Sequence, residues 1–199
     1  MVDVSVLIPT FNRPKWLKES VESILAQQDC DFELIVLDNG SGPETSEYLK
    51  TVTDPRVKTY RFERNFESNP WAFMYEHASG RFFVNFTDDD IMEPGNLSKK
   101  FAIMNANPKL GFVYSPVLEI GENGQPIGPQ RNGLTWDESM MSGGAPFERL
   151  FNLNFVPMIS AMFRAEFAPL FGTTGFCTLD DWAFWLEIAS RADTAYIRE

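Results

Sequence analysis

Up to Thr87 the chain alternates two incompatible hydrophobic periods, and this alternation leaves few folds open to it. The segments "VSVLIPTF" (4–11), "FELIVLD" (32–38), "VKTYRF" (57–62) and "RFFVNFT" (81–87) are short apolar runs, suited to buried strands and too short for helices. Helical spacings separate them. Leu17, Val21, Ile24 and Leu25 recur within "PKWLKESVESILAQ" (14–27), Tyr48, Leu49 and Val52 mark a shorter helix, and "NPWAFMYEHA" (69–78) is closed by Gly80. Pro14 suits the first helical turn, where its missing N–H is not needed. Strands joined through helices of this length imply βαβ units, hence a mostly parallel sheet covered on both faces. The expected class is α/β, with a Rossmann-like, mostly parallel central sheet flanked by helices.

The second half continues with an amphipathic helix marked by Leu97, Phe101 and Met104, and a strand "LGFVYSPVLEI" (110–120). Asn123-Gly124 is a tight-turn signal. From about 121 to 146 periodicity gives way to Gly, Pro, Asn and Ser around Trp136, and so long a loop in a compact domain is functional or disordered. "FERLFNL", a strand "VPMISAMFR" (156–164) and a helix carrying Trp182, Trp185, Leu186 and Ala189 follow. With 199 residues, 44% of them hydrophobic, one well-packed domain accounts for the whole chain, residues 1–199.

Charge and composition exclude several functions. A net charge of −11 argues against a nucleic-acid backbone or an anionic membrane as the main partner. His77 is the lone histidine, so a His-ligated metal cluster is excluded; its place at a helix end gives it a structural reading. Cys30 and Cys177 form no zinc-like spacing and read as thiols of a reducing compartment. "MVDVSVLIP" lacks the basic and apolar regions of a signal peptide, and no apolar run approaches the roughly 20 residues of a membrane span. A soluble, cytoplasmic protein is expected.

In an open parallel sheet, ligands occupy the crevice beyond the carboxyl ends of the strands. Three of the expected strands end in polar groups there: Thr10-Phe11-Asn12-Arg13, Asp38-Asn39-Gly40-Ser41, and Thr87-Asp88-Asp89-Asp90. No Gly-rich dinucleotide fingerprint or phosphate loop accompanies them. Three adjacent carboxylates repel one another, and a divalent cation that shares its shell with a diphosphate would relieve this. A calcium loop fits neither the spacing nor the ligand set. The bland reading is a solvated acidic turn capping the next helix.

The segments "SVLIPTFNR", "FELIVLDNGS", "HASGRFFVNFTDDDIMEPGNL" and "TGFCTLDDWAFWLEIA" resemble, in this order, the signatures of the family 2 glycosyltransferases with the GT-A fold. The resemblance covers almost all of the chain. It implies an inverting enzyme that moves a sugar, a hexose or N-acetylhexosamine, from a nucleotide-sugar, commonly a UDP-sugar, to the hydroxyl of a glycan or other acceptor in surface-glycan or polysaccharide assembly. It further implies a nucleotide half (1–110) and an acceptor half (111–199). Thr10, Phe11, Asn12 and Arg13 would line the nucleotide pocket with Asn39 and Arg64. Asp38 would bond the base, Asp88 the ribose, and Asp89, with Asp88, would hold Mn2+ or Mg2+. Asp181 would take the proton of the attacking hydroxyl, with Asp180 shaping the site. Both aspartates equally suit the N-terminus of the helix they precede.

Four departures qualify these implications. Thr87 stands where the family often has a first carboxylate, and "RNFESNPWAFMYEH" departs from the usual Gly- and Asn-rich pattern. No Q-x-x-R-W follows the acidic pair, which disfavours a processive synthase, and the chain stops at "AYIRE", where many relatives continue into further acceptor-binding or lid segments. Trp136, in the polar loop, is the aromatic residue expected to meet acceptor; Arg131 could serve a charged ligand, whereas Trp182 and Trp185 read as packing. Two other readings stand beside the transferase. One is a catalytically incomplete GT-A-fold module that binds nucleotide or metal; the other, a sugar-1-phosphate nucleotidyltransferase, wants a basic Gly-rich loop after the first strand, which "PTFNRPKW" does not supply.

Overall fold

A computed structural model describes residues 2–65, 70–128, 140–141, 145–173 and 180–197. The elements run β1 (Val4–Thr10), α1 (Pro14–Leu25), β2 (Phe32–Asp38), α2 (Pro43–Thr51), β3 (Val57–Arg61), α3 (Pro70–His77), β4 (Phe82–Asn85) and α4 (Asn96–Ala106). They continue with β5 (Leu110–Tyr114), β6 (Met140–Met141), α5 (Ala145–Asn152), β7 (Ala161–Arg164), α6 (Asp180–Ala189) and β8 (Asp193–Tyr196). Among the described residues the eight strands join one sheet in the order β3-β2-β1-β4-β7-β5-β8-β6.

β1 is the centre of a parallel half-sheet. It pairs with β2 from Val4↔Phe32 to Thr10↔Asp38 and with β4 from Val4↔Phe82 to Leu7↔Asn85, and β3 lies outside β2 with Asp38 opposite Arg61. The alternation of strand and helix is therefore expressed as expected in this half. Because the strands run together, their carboxyl ends share one edge.

The second half is mixed, and here the sequence expectations need correction. β7 runs antiparallel between β4 and β5, while β8 lies parallel to β5. The strand expected over 110–120 stops at Tyr114. Pro116 lacks an N–H to donate, and residues 119–127 instead fold on themselves, with Ile120 bridged to Pro126 and Gly124 N–H bonded to Gly121 O (2.8 Å). The strand expected over 156–164 begins only at Ala161, after a 3-10 turn at Met158–Ser160 that follows Pro157. β8, four residues reading "DTAY", is too short and polar to announce itself.

Two cores sandwich the sheet. Leu17, Val21 and Ile24 of α1 pack with Leu97 and Met104 of α4 on one face, and Trp71, Met74, Phe184 and Trp185 of α3 and α6 pack on the other. Trp185 is fully buried and Trp182 donates its indole N–H to Leu150 O (2.6 Å), so both serve packing. His77 stacks on Phe73 (4.1 Å between centroids) at the end of α3, which confirms its structural reading. The Cys30 thiol is pushed up to about 11 by burial, with Asp3 and Asp31 adding to the effect, so it is no reactive thiolate. Cys177, Arg131 and Trp136 lie outside the described residues.

Two buried charges are handled differently. Burial opposes ionisation of Glu33, but Lys58 (2.6 Å), Ser5 Oγ (2.7 Å) and both Ser79 donors surround its carboxylate and leave its pKa lowered. It thereby ties the turn before β4 to β1 and β2. Lys100 of α4 is buried with its ammonium donating to Asn96 Oδ1 (2.8 Å), and burial lowers its pKa to about 7.

Between about pH 7 and 10.5 the unfolded chain keeps the Lys100 proton that the folded chain has released, so this group makes stability rise with pH across that window. Urea titrations at pH 7 and pH 9 should show this rise in the wild type and a flatter profile in Lys100→Met. Equal slopes for the two proteins would mean that the amine titrates normally.

Candidate functional site

Three strand ends meet at the carboxyl edge of the parallel half, and each supplies part of one polar cluster. Thr10, at the end of β1 and nearly buried, donates its hydroxyl to Asp88 Oδ2 (2.6 Å). Arg13 approaches from the far side. Its Nη1 lies 3.2 Å from Asp88 Oδ1 and 2.7 Å from Asp89 Oδ2. Asp88 and Asp89 thus share Arg13, Asp88 has the Thr10 hydroxyl besides, and Asp90 turns to the Thr87 hydroxyl. Burial raises the pKa of Asp90 against the Thr87 bond, and the charges of Asp89 and Asp88 add to the rise. The Thr87 hydroxyl, standing where the family often has a first carboxylate, donates to the Asp90 carboxylate.

Helix α1 holds the turn that carries this triplet. Ser20 Oγ donates to Asp90 O (2.6 Å), Ser23 Oγ accepts from Met92 N–H (3.0 Å), and Gln27 Nε2 donates to Glu93 O (3.0 Å). Ser20 and Gln27 are buried. Ser20 and Ser23 stand on the helix and Gln27 two residues past its end at Leu25, at spacings of three and four along the chain, and sequence reasoning passed over them. The interruption of the apolar pattern at Ser20 was the available signal.

Asp38, at the end of β2, is buried. Its Oδ1 accepts Ser41 N–H (2.8 Å), while Arg61 and Ser46 meet Oδ2. Arg61 also donates to Ser41 O (2.6 Å) and spans the strand end. This arginine was missed from the sequence, although a charge ending the third expected strand falls beside one ending the second. Asn12, with φ of 57°, accepts Gly42 N–H (2.8 Å), and Asn39 donates to Asn65 Oδ1 (2.9 Å). Phe11 is exposed beside them. The backbone of Arg64 crosses directly over Gly40, where a Cβ would lie 2.3 Å from Arg64 C. The structure therefore brings together Thr10, Phe11, Asn12, Arg13, Asp38, Asn39, Arg64, Asp88 and Asp89 as one edge of the sheet.

Asp180 and Asp181 reach the same edge by another route. β5 and β8 run with β4, and Ile188, late in α6, lies against Gly111 at the start of β5, so the first turn of α6 faces the carboxyl edge. That turn belongs to the opposite sheet face from α1. Asp181 accepts Asn154 Nδ2 (3.1 Å) through Oδ2 and Trp182 N–H (2.8 Å) through Oδ1. It is thus held, like a helix-terminal carboxylate, and aimed by a second residue, Asn154, that the sequence did not single out.

A cavity of about 390 Å3 opens beside Asp89. Arg13, Trp16 and Glu19 form one wall, and Ile120 and Glu122 of the loop after β5 form the other. Among the described residues no three His, Cys, Asp or Glu side chains are grouped to hold a metal. Two carboxylate oxygens, Asp88 Oδ1 and Asp89 Oδ2, do converge on one guanidinium nitrogen. A single positive centre is therefore accommodated between them. A divalent cation fits this donor pair provided phosphate and water complete its shell.

Comparison with known proteins gives the family and the fold. The family model "Glycosyl transferase family 2" matches residues 5–170. The GalNAc(5)-diNAcBac-PP-undecaprenol beta-1,3-glucosyltransferase of Campylobacter jejuni is 34% identical over 123 residues, which cover 59% of this chain and 39% of that protein. The crystal structure of S. aureus TarS 1-349 with UDP-GlcNAc superposes with a TM-score of 0.74 at 18% identity, covering 99% of this chain and 59% of that one. The mannosyltransferase PcManGT of Pyrobaculum calidifontis, in complex with GDP-Man and Mn2+, gives 0.71 at 17%, covering all of this chain and 57% of that one. The chain spans less than two thirds of each of these three proteins, and the two structural likenesses establish the GT-A fold.

The Gly40 crossing makes a sharp prediction. Gly40 combines φ of +84° with backbone at 2.3 Å, whereas a Cβ at Gly42 meets nothing nearer than Asn12 Oδ1 at 3.6 Å. Gly40→Ala should cost about 1–3 kcal/mol of stability and Gly42→Ala within about 0.5 kcal/mol, read from denaturant midpoints. Similar losses at both positions would mean that Arg64 does not pack over Gly40.

Proposed function

Because the chain belongs to glycosyl transferase family 2, we propose that it transfers a sugar from a nucleotide-sugar, taken to be a UDP-sugar, to an acceptor hydroxyl with inversion and with Mn2+ or Mg2+ as cofactor. The Thr10–Asp88–Arg13–Asp89 cluster carries this reading. It sits where an open α/β sheet binds ligands, and its two carboxylates and one guanidinium suit a nucleotide diphosphate accompanied by metal.

Each residue has a role in the proposal. Thr10 fixes Asp88 so that its carboxylate meets the ribose. Asp38, with Arg61 across it, and Asn39 line the place of the base. Arg13 and Arg64 supply positive charge towards the diphosphate. Asp89, with Asp88, would hold the cation, which supplies Lewis-acid neutralisation of charge on the leaving diphosphate. Asp181, aimed by Asn154, takes the proton of the attacking hydroxyl as the sugar–phosphate bond breaks, with Asp180 beside it shaping the acceptor side. The cavity next to Asp89 draws one wall from the first 110 residues and the other from beyond them, as a nucleotide half and an acceptor half require.

The transferred group is read as a hexose or N-acetylhexosamine, and the pathway as surface-glycan or polysaccharide assembly. The undecaprenol-linked acceptor in the name of the Campylobacter relative supports the pathway, and the UDP-GlcNAc complex of the TarS structure supports a uridine donor.

Calorimetric titration with UDP should show binding in the presence of Mn2+ that chelation weakens and Asp89→Ala abolishes. Asp181→Asn should keep that affinity while losing about 100-fold or more in turnover of a UDP-sugar. Absence of UDP binding under every condition would remove the uridine donor. Retained turnover in Asp181→Asn would place the base elsewhere.

A further inference from the structure

We infer that Arg13 is a resident counter-ion of the site, which must release Asp89 before a divalent cation enters, and that it couples cation binding to diphosphate binding. This rests on the reading of Asp88 and Asp89 as the cation's ligands. The position of the guanidinium is the first argument. One nitrogen, Nη1, contacts both Asp88 Oδ1 (3.2 Å) and Asp89 Oδ2 (2.7 Å), so it holds the point at which the two carboxylates converge. A cation bound by the same oxygens and the guanidinium exclude each other by charge and by space.

Mobility is the second argument. The backbone of Arg13 is anchored as the N-cap of α1, its carbonyl accepting Leu17 N–H (3.0 Å), and this N-cap makes no side-chain capping bond. The side chain is 51% exposed, and so is nearly half of Asp89. A half-exposed ion pair is weak enough to exchange partners. Asp88, by contrast, has its second oxygen, Oδ2, in a buried bond from the Thr10 hydroxyl that does not involve Arg13.

The consequence is an order built into the site. Without nucleotide, Arg13 competes with the metal and keeps the acidic pair compensated. When a diphosphate arrives, it offers the guanidinium a second anion, Asp89 is freed, and the cation gains both a carboxylate and phosphate oxygens. Linkage then requires nucleotide and metal to raise each other's affinity by the same factor.

The test is Arg13→Gln, with Mn2+ binding followed by electron paramagnetic resonance in the absence of nucleotide and UDP binding followed by calorimetry in the absence of metal. The variant should bind Mn2+ alone about fivefold more tightly than the wild type and UDP alone more weakly. The factor by which UDP tightens Mn2+ should shrink accordingly. Opposite signs for the two ligands separate this role from structural damage, which would weaken both, and matched thermal unfolding midpoints confirm an intact fold. Unchanged or weaker Mn2+ binding in Arg13→Gln overturns the inference. Wild-type protein that binds no Mn2+ even with UDP, or Asp89→Ala that binds it normally, would instead overturn the reading of the acidic pair as metal ligands.

Discussion

Three adjacent carboxylates at a strand end are tolerable only if each is given a compensating donor, and the arrangement of this site follows from that requirement. Asp88 is kept by a hydroxyl from β1, Asp89 by a guanidinium at the head of α1, and Asp90 by the hydroxyl of Thr87. β1 must therefore lie beside β4 in parallel, with Thr10 at its end. α1 must begin within reach of the triplet, so that Arg13 faces Asp88 and Asp89. Both conditions are met by a single βα unit whose helix is also bonded, through Ser20 and Ser23 and through Gln27 just past its end, to the turn that carries the acids. The helix that follows the first strand is thus the scaffold of the site as well as one layer of the core.

The second half of the sheet solves a different problem. A purely parallel continuation would need another crossover helix between each pair of strands. β7 is instead inserted antiparallel between β4 and β5, reached from β5 through β6 and α5, and it leaves β5 and β8 running in the direction of β4. The loops after β5 and before β7 and the first turn of α6 then all open at the carboxyl edge. Glu122, Asn154 and Asp181 are brought to the edge that Asp89 occupies by topology rather than by proximity in sequence.

Legibility from the sequence follows the same division. The parallel half was readable because each strand is a continuous apolar run and each helix has its own period, so Thr10, Asp38 and Asp88 could be placed at one edge by counting strand ends. β8 and the shortened β5 were not readable. Their pairing is decided by neighbours far away in the chain, and "DTAY" has no period of its own. Partners were harder still. Arg61 opposite Asp38 is a matter of register, Asn154 beside Asp181 joins segments 27 residues apart, and neither leaves a local pattern. Thr87 could be read only as a missing carboxylate, because nothing in the linear order shows that its hydroxyl meets Asp90.

The charges around Asp38 and Asp88 suggest a common logic for the two strand ends. In each, a buried aspartate takes one bond from an uncharged donor that cannot leave, Ser41 N–H or the Thr10 hydroxyl, and one from an arginine that is about half exposed. The uncharged bond sets the direction of the carboxylate, and the arginine balances its charge at the surface. A ligand that brings both hydroxyl groups and phosphate can then take over the arginine's place or draw it away without disturbing the aspartate's orientation. A site built from half-exposed arginines over buried aspartates is preorganised in the direction of its carboxylates and open to ligand at its charges. That combination is what a pocket needs if it must bind an anionic nucleotide with a cation and later release both.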